Sequence, residues 1–362
     1  MSSKARDRRD ALQALEDRGA PTPADARPVE RVEREDPQRA PGAPDDGRLR
    51  QGLVVRFEGG FYTVKFDDAQ LLCTLAKRMR RGARTATNPL AVGDHVGARA
   101  FGSAEGLVEQ GVIERIYPRR NELVRTAPGR DALKHVLVAN LDLLLIVTAL
   151  RLPEPNLARL DRFLIIAEQS EIPRTAIVVT KTDLGDPGEA DRLFAAYGPA
   201  GYLVLPTSVE TGDGVAALRA LLKDKISAVV GSSGVGKSTL LNAVQPGLHL
   251  RAGELGERTG KGRHTTTVAE LIALDEGGYV ADTPGLRGIE PYELDPDLLD
   301  TLFPEMRPYL DHCRFSPCSH VHEPGCAVRA AVEAGAIAAN RYDSYVKLYD
   351  EARQNARPAW AH

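Results

Sequence analysis

An α/β protein of three units is predicted by three features of this 362-residue sequence. Apolar strand-like runs alternate with helix-patterned segments over residues 119–290, the pattern of a mostly parallel sheet covered on both faces. Short alternating runs with glycines at hairpin spacing occupy residues 49–118, the pattern of a small antiparallel barrel. Three of the four cysteines crowd into residues 313–326 and mark a separate C-terminal unit over 291–362. The length agrees, because about 100–200 residues make a usual domain.

Composition narrows the function classes. The 47 Lys and Arg against 50 Asp and Glu leave a net charge of −3, so any nucleic-acid contact rests on local patches rather than on bulk attraction. The longest apolar run, residues 141–150, contains Asp142 and falls short of the ~20 residues that span a bilayer, so no membrane partner is expected. The N-terminus MSSKARDRRD has no apolar stretch behind its charges, which argues against secretion and for the cytoplasm. Residues 1–48 mix Arg, Asp, Glu, Pro and Ala with few large apolar residues and read as a disordered tail.

The barrel is built from LVVRF, FYTVKF, LLCTLA, VGDHVGARA and GLVEQGVIERI, and its size suggests an OB-type fold. Lys77, Arg78, Arg80, Arg81 and Arg84 lie between two of these strands, and Arg115, Arg119, Arg120, Arg125 and Arg130 follow. Clustered arginines beside such a barrel predict RNA binding through phosphate contacts and base stacking. Cys73 reads as a buried barrel residue.

In the middle unit, strands are expected at residues 141–149, 175–180, 202–206, 226–230 and 279–283, with a helix over 157–169. Gly231-Ser-Ser-Gly-Val-Gly-Lys-Ser238 follows one strand and precedes a helical segment, the context a phosphate-binding loop requires. Its residues Gly231, Ser232, Ser233, Gly234, Val235, Gly236, Lys237, Ser238 and Thr239 would surround the phosphates of a nucleotide. Glycines let successive N–H groups point at phosphate oxygens, Lys237 neutralises the outer phosphates, and Ser238 can ligate Mg²⁺. Asp282-Thr-Pro-Gly285 at the end of a later strand supplies the second phosphate element, Asp282 toward the metal and Gly285 toward the γ-phosphate.

Thr180-Lys181-Thr182-Asp183, at the end of the strand TAIVVT, matches the guanine element that usually begins with Asn. A carboxylate accepts the guanine N1–H and N2 amino protons, and a buried Asp183 would be left unpaired by adenine. The loop Pro206-Thr-Ser-Val-Glu-Thr-Gly-Asp-Gly214 reads as a further base contact, with Ser208 in it and Val209 where Ala is common. GTP with Mg²⁺ is therefore the expected substrate, and ATP the disfavoured one.

The order of these elements is informative. The base-reading elements at 180–183 and 206–212 precede the phosphate elements at 231–238 and 282–285, the reverse of an ordinary small GTPase. The unit is read as a circularly permuted P-loop GTPase domain, and permutation keeps the site intact where the old termini lie close together. Residues 251–263 lack helix or strand periodicity and, with Gly262-Arg-His-Thr-Thr-Thr267, read as a switch loop. Thr266 or its neighbours Thr265 and Thr267 would close on Mg²⁺ and the γ-phosphate. Leu286, after Gly285, cannot orient water, so His264 is the candidate hydrolytic residue, beside Lys237 and Thr266.

Cys313, Cys318, His320 and Cys326 have the spacing C-x4-C-x-H-x5-C, three thiolates and one imidazole for a structural Zn²⁺. His322 reads as a bystander. An alanine-rich helix is expected over 327–339, leading into Tyr342, Tyr345 and Tyr349.

The permuted order, the preceding barrel and the segment CRFSPCSHVHEPGCAV together resemble the RsgA (YjeQ) family of small-ribosomal-subunit biogenesis GTPases, from about residue 50 to near the end. The resemblance implies an OB-fold, a permuted GTPase domain and a zinc domain. It implies a role in late maturation of the small (30S) subunit, where the GTP-bound protein docks on ribosomal RNA and leaves after hydrolysis. Stimulation of hydrolysis by the subunit is implied as well, and the residue match supports His264 as the hydrolytic residue. Contact with other assembly factors and a monomeric state are further expectations. Thr180, Val209, Pro317 and the long N-terminal extension depart from the family pattern. The competing reading is a nucleotide-independent, RNA-associated zinc protein.

Overall fold

The structure is a computed structural model that describes residues 49–81, 88–101, 110–126, 134–248, 268–283, 286, 289–291 and 294–356. The tail 1–48, Arg84, Arg130, the segment 251–267 with His264 and Thr266, and Gly285 lie outside the described residues.

Five strands form the N-terminal barrel: β1 (Arg50–Glu58), β2 (Phe61–Lys65), β3 (Gln70–Leu75), β4 (His95–Phe101) and β5 (Gln110–Ile116). Their order is β1-β2-β3-β5-β4, and β4 returns to pair with β1, which closes the sheet. The β3–β5 pair is parallel and the others are antiparallel, as an OB-type Greek-key barrel requires. Alternating residues such as Val54, Val64, Leu71, Cys73, Val96 and Ile113 fill its interior. Cys73 is fully buried there.

A bulge between Val54 and Arg56 lets β1 serve two units. Val54 stays in the barrel, whereas Val55 turns into the core of the next domain. Beyond the bulge, Arg56 and Phe57 pair with Glu270 and Ala269 of β12 (Ala269–Ala273). Gly93 has a left-handed backbone, and a Cβ there would stand 2.0 Å from the Ala139 carbonyl oxygen, so glycine permits the barrel to close on its neighbour.

The hairpin of β6 (Glu122–Thr126) and β7 (Lys134–Ala139) connects the barrel to the α/β domain. Sequence periodicity did not indicate it, nor β12. Arg119, at the entry to this hairpin, is bidentate to the fully buried Asp94 at 2.7 Å and reaches Glu122 at 2.8 Å. It braces the fold instead of facing RNA, and Arg120 similarly pairs with Asp142 at 3.1 Å. Arg78 remains well exposed beside Glu114.

In the α/β domain the order is β10-β9-β8-β11-β13-β12, with β8 (Leu143–Ala149), β9 (Thr175–Thr180), β10 (Leu203–Pro206), β11 (Ile226–Val230) and β13 (Tyr279–Asp282) parallel. β8 is buried along its whole length because helices cover both faces. Helix Leu157–Gln169 starts where Asn156 accepts the Arg159 N–H at 2.9 Å, and it buries Leu160, Phe163, Leu164 and Ile166. Helices Val215–Leu222 and Lys237–Val244 pack on the opposite face. All parallel strands present their C-terminal ends to one edge, where ligands of such sheets bind.

The C-terminal unit packs two 3-10 helices, Leu299–Leu302 and Pro304–His312, against helices Ala327–Glu333 and Ala339–Ala356. The helix expected over 327–339 is broken: Gly335 adopts φ 75° and its N–H returns to the Val332 carbonyl, ending one helix before the next begins. Among the described residues no helix is long and apolar enough to cross a membrane.

Candidate functional site

The C-terminal ends of β9, β11 and β13 bring the motif residues together. β11 feeds the phosphate loop, whose first residue Gly231 has φ 146° and approaches β8 so closely that a Cβ would stand 2.2 Å from the Val147 carbonyl oxygen. Only glycine fits this turn. Gly236, with φ 90°, then opens helix Lys237–Val244. The Lys237 ammonium donates to the carbonyls of Gly231 at 2.9 Å and Ser232 at 2.6 Å, so the loop curls around its own cation. Ser238 and Thr239 are exposed on the first helical turn. Asp282 ends β13 one residue beyond the Ala228–Ala281 pair, buried beside the start of this loop.

Thr180 ends β9, and its hydroxyl donates to the Val235 carbonyl of the phosphate loop at 2.6 Å, with the Thr148 carbonyl at 3.2 Å. Lys181 adopts a left-handed backbone and places its ammonium on the carbonyls of Gly234, at 2.9 Å, and Leu152. Thr182 donates to the Thr207 carbonyl at 3.0 Å, which fastens the 206–214 loop to the guanine element. Ser208 then donates to Asp183 Oδ1 at 2.5 Å. Asp183 is exposed, not buried as expected, because it sits on the rim past β9. Val209 is partly buried against the core formed by helices Val215–Leu222 and Lys237–Val244. Leu286 is buried in the domain core and points away from solvent chemistry.

The ligand atoms of Cys313, Cys318, His320 and Cys326 lie within 4.8 Å of one another. His320 Nδ1 stands 3.5 Å from Cys313 Sγ and 3.4 Å from Cys326 Sγ, while its Nε2 lies 3.0 Å from Asp300 Oδ2. Sequence spacing did not indicate Asp300, which comes from an earlier turn and fixes which imidazole nitrogen faces the thiols. The backbone N–H groups of Ala327 and Arg329 donate to Cys313 and Cys326 sulfurs. Tyr342 and Tyr345 hold the carbonyls of His320 and Ser319 at 2.8 and 2.7 Å. Burial pushes the Cys318 thiol up to about 12, a backbone N–H of His320 opposing the rise. Three thiolates at this spacing repel unless a cation lies among them, so the donor set suits a tetrahedral Zn²⁺. His322 is exposed and stands apart.

Known proteins are similar to this chain in sequence and fold. The RsgA GTPase family matches residues 116–291. The small ribosomal subunit biogenesis GTPase RsgA of Gemmatimonas aurantiaca is 44% identical over 301 residues, covering 83% of this chain and 96% of that protein. The protein of the same name from Moorella thermoacetica is 42% identical, with 83% and 97% covered. Among solved structures, YjeQ from Thermotoga maritima superposes with a TM-score of 0.68 at 36% identity, covering 86% of this chain and all of that one. YloQ, a circularly permuted GTPase, gives 0.67 at 30% identity, with 87% and 100% covered. With the barrel, the reversed motif order and the Cys3His cluster in place, the chain belongs to the RsgA family of circularly permuted GTPases.

Proposed function

We propose that this chain hydrolyses GTP to GDP and phosphate and assists late maturation of the small (30S) ribosomal subunit, gripping ribosomal RNA according to nucleotide state. The observation that carries the reading is the Thr180–Val235 hydrogen bond, which joins the guanine element to the phosphate loop despite their reversed order in sequence. Asp183 and Ser208 would read the base, residues 231–239 would hold the phosphates, Asp282 would lie toward the Mg²⁺ and Gly285 toward the γ-phosphate. Mg²⁺ would be held by Ser238 and a switch threonine, Thr266, and when bound supplies charge neutralisation on the phosphates. His264 would orient the attacking water and Lys237 would stabilise the transferring phosphoryl group.

The working units would be 49–118 for RNA, 119–290 for the nucleotide and 291–362 for zinc. Cys313, Cys318, His320 and Cys326 would hold a structural Zn²⁺ that shapes the C-terminal unit without taking part in hydrolysis. The names of the relatives support the small ribosomal subunit as the partner, and the cytoplasm is the proposed site of this work. The exposed Arg78 on the barrel supports RNA contact. We infer a monomer that meets other assembly factors on the subunit.

The test is phosphate release by the purified chain with GTP or ATP, with and without small subunits. Stimulation confined to GTP supports the reading. Turnover that ignores subunits, or that accepts ATP equally, overturns it.

A further inference from the structure

The base end of the site directs its side-chain protons inward. The Thr180 hydroxyl has one proton, and Val235 O at 2.6 Å lies in its path. Thr180 is buried, so this bond is shielded from water. The Thr182 hydroxyl serves Thr207 O, the Ser208 hydroxyl serves Asp183, and the Lys181 ammonium serves two loop carbonyls. What this element turns outward is the Asp183 carboxylate, an acceptor.

Guanine offers donors at N1 and N2 and acceptors at N7 and O6, whereas adenine shares the N7 acceptor. A carboxylate selects the donor edge. A donor at N7 would add affinity for both purines without choosing between them. The asparagine usual at position 180 carries two amide protons and can hold a loop carbonyl while reaching another acceptor, but threonine cannot.

We propose that Thr180 is a positioning residue: its hydroxyl ties the phosphate loop to the end of β9, guanine N7 goes unread, and the choice of guanine rests on Asp183. This rests on the reading of the site as a guanine-nucleotide site. The substitution of threonine for asparagine then lowers affinity for GTP and GDP alike and leaves selectivity against ATP intact.

The experiment measures equilibrium binding of GTP, 7-deaza-GTP and ITP to the full chain, as wild type, Thr180→Val and Thr180→Ser. Wild type is expected to bind GTP and 7-deaza-GTP within about twofold, whereas a lost N7 hydrogen bond reads as about fivefold to tenfold. Thr180→Val is expected to weaken both nucleotides by the same factor, and Thr180→Ser to restore both. ITP, which lacks the N2 amino group, is expected to bind more weakly than GTP. A wild-type preference of fivefold or more for GTP over 7-deaza-GTP overturns the inference, and needs no variant to fold. Unchanged binding in Thr180→Val removes the positioning role, and equal binding of ITP removes the assignment to Asp183. Wild-type protein that binds none of the three refutes the guanine reading itself, an outcome distinct from any of these.

Discussion

Arg341 Nη1 lies 2.6 Å from Asp161 Oδ1, and neither side chain is more than 2% exposed. The two residues come from helix Ala339–Ala356 of the zinc unit and helix Leu157–Gln169 of the GTPase domain. Glu305 takes a second face of the guanidinium at 2.6 Å, and Tyr197 donates to Asp161 at 3.0 Å. The Tyr197 and Phe303 rings lie against the same cation. Arg307 adds a contact to Glu168 at 2.5 Å. A buried network of this kind contributes little net stability but makes the loss of one partner costly.

Arg341→Met is therefore expected to destabilise the protein by about 3–5 kcal/mol, because Asp161 and Glu305 lose their cation. Denaturant titration followed by circular dichroism measures it. Adding Asp161→Asn and Glu305→Gln to the same protein is expected to recover a large part, since no buried charge is then left alone.

Lys237→Ala and His264→Ala should separate binding from hydrolysis. The lysine variant is expected to weaken GTP binding up to about 100-fold, from loss of about 3 kcal/mol of charge-assisted contact. The histidine variant is expected to bind normally and to hydrolyse about 100-fold more slowly. Fluorescent-nucleotide titration and single-turnover phosphate release read the two effects. Parental hydrolysis by His264→Ala would remove that residue from the mechanism.

Cys318→Ser is expected to lose bound zinc and loosen the C-terminal unit while leaving nucleotide binding in place. Zinc content by mass spectrometry, with limited proteolysis beyond residue 294, checks both halves. A variant that retains a full equivalent of zinc would contradict the ligand assignment.

His95 titrates below its ordinary range because burial disfavours its charged form and Arg120 adds repulsion, with Asp94 and Asp142 opposing. His135 shifts the same way through burial and Arg125. The unfolded chain thus binds more protons than the folded one just below the ordinary value of 6.5. Stability from these groups is full above that value and is lost as pH falls below it. Thermal melts between neutral and mildly acid pH are expected to fall, and His95→Gln should flatten the decline.

Much of this was readable before the structure. Short sequence spacing located segments 180–183 and 231–238, which the fold brings together, and the Cys313, Cys318, His320 and Cys326 cluster, because each is set by local backbone geometry. The reversed order of the elements disclosed the permutation. What escaped was decided by distant partners. β12 is five residues whose strand state depends on β1 and β13, and Asp300 meets His320 only through tertiary packing. Arginine composition could not separate Arg119, held by a buried carboxylate, from Arg78, left on the surface. The alanine content between 327 and 339 favoured one helix, yet a single left-handed Gly335 divided it.

The pairing of Arg56 and Phe57 with Glu270 and Ala269 makes the barrel and the nucleotide domain one sheet of eleven strands. β12 begins just past residue 267 and is bonded on its other side to β13, which ends at Asp282. A tilt of that strand would be passed through β1 into the barrel, so that movement beside the end of β13 would be carried toward the exposed Arg78.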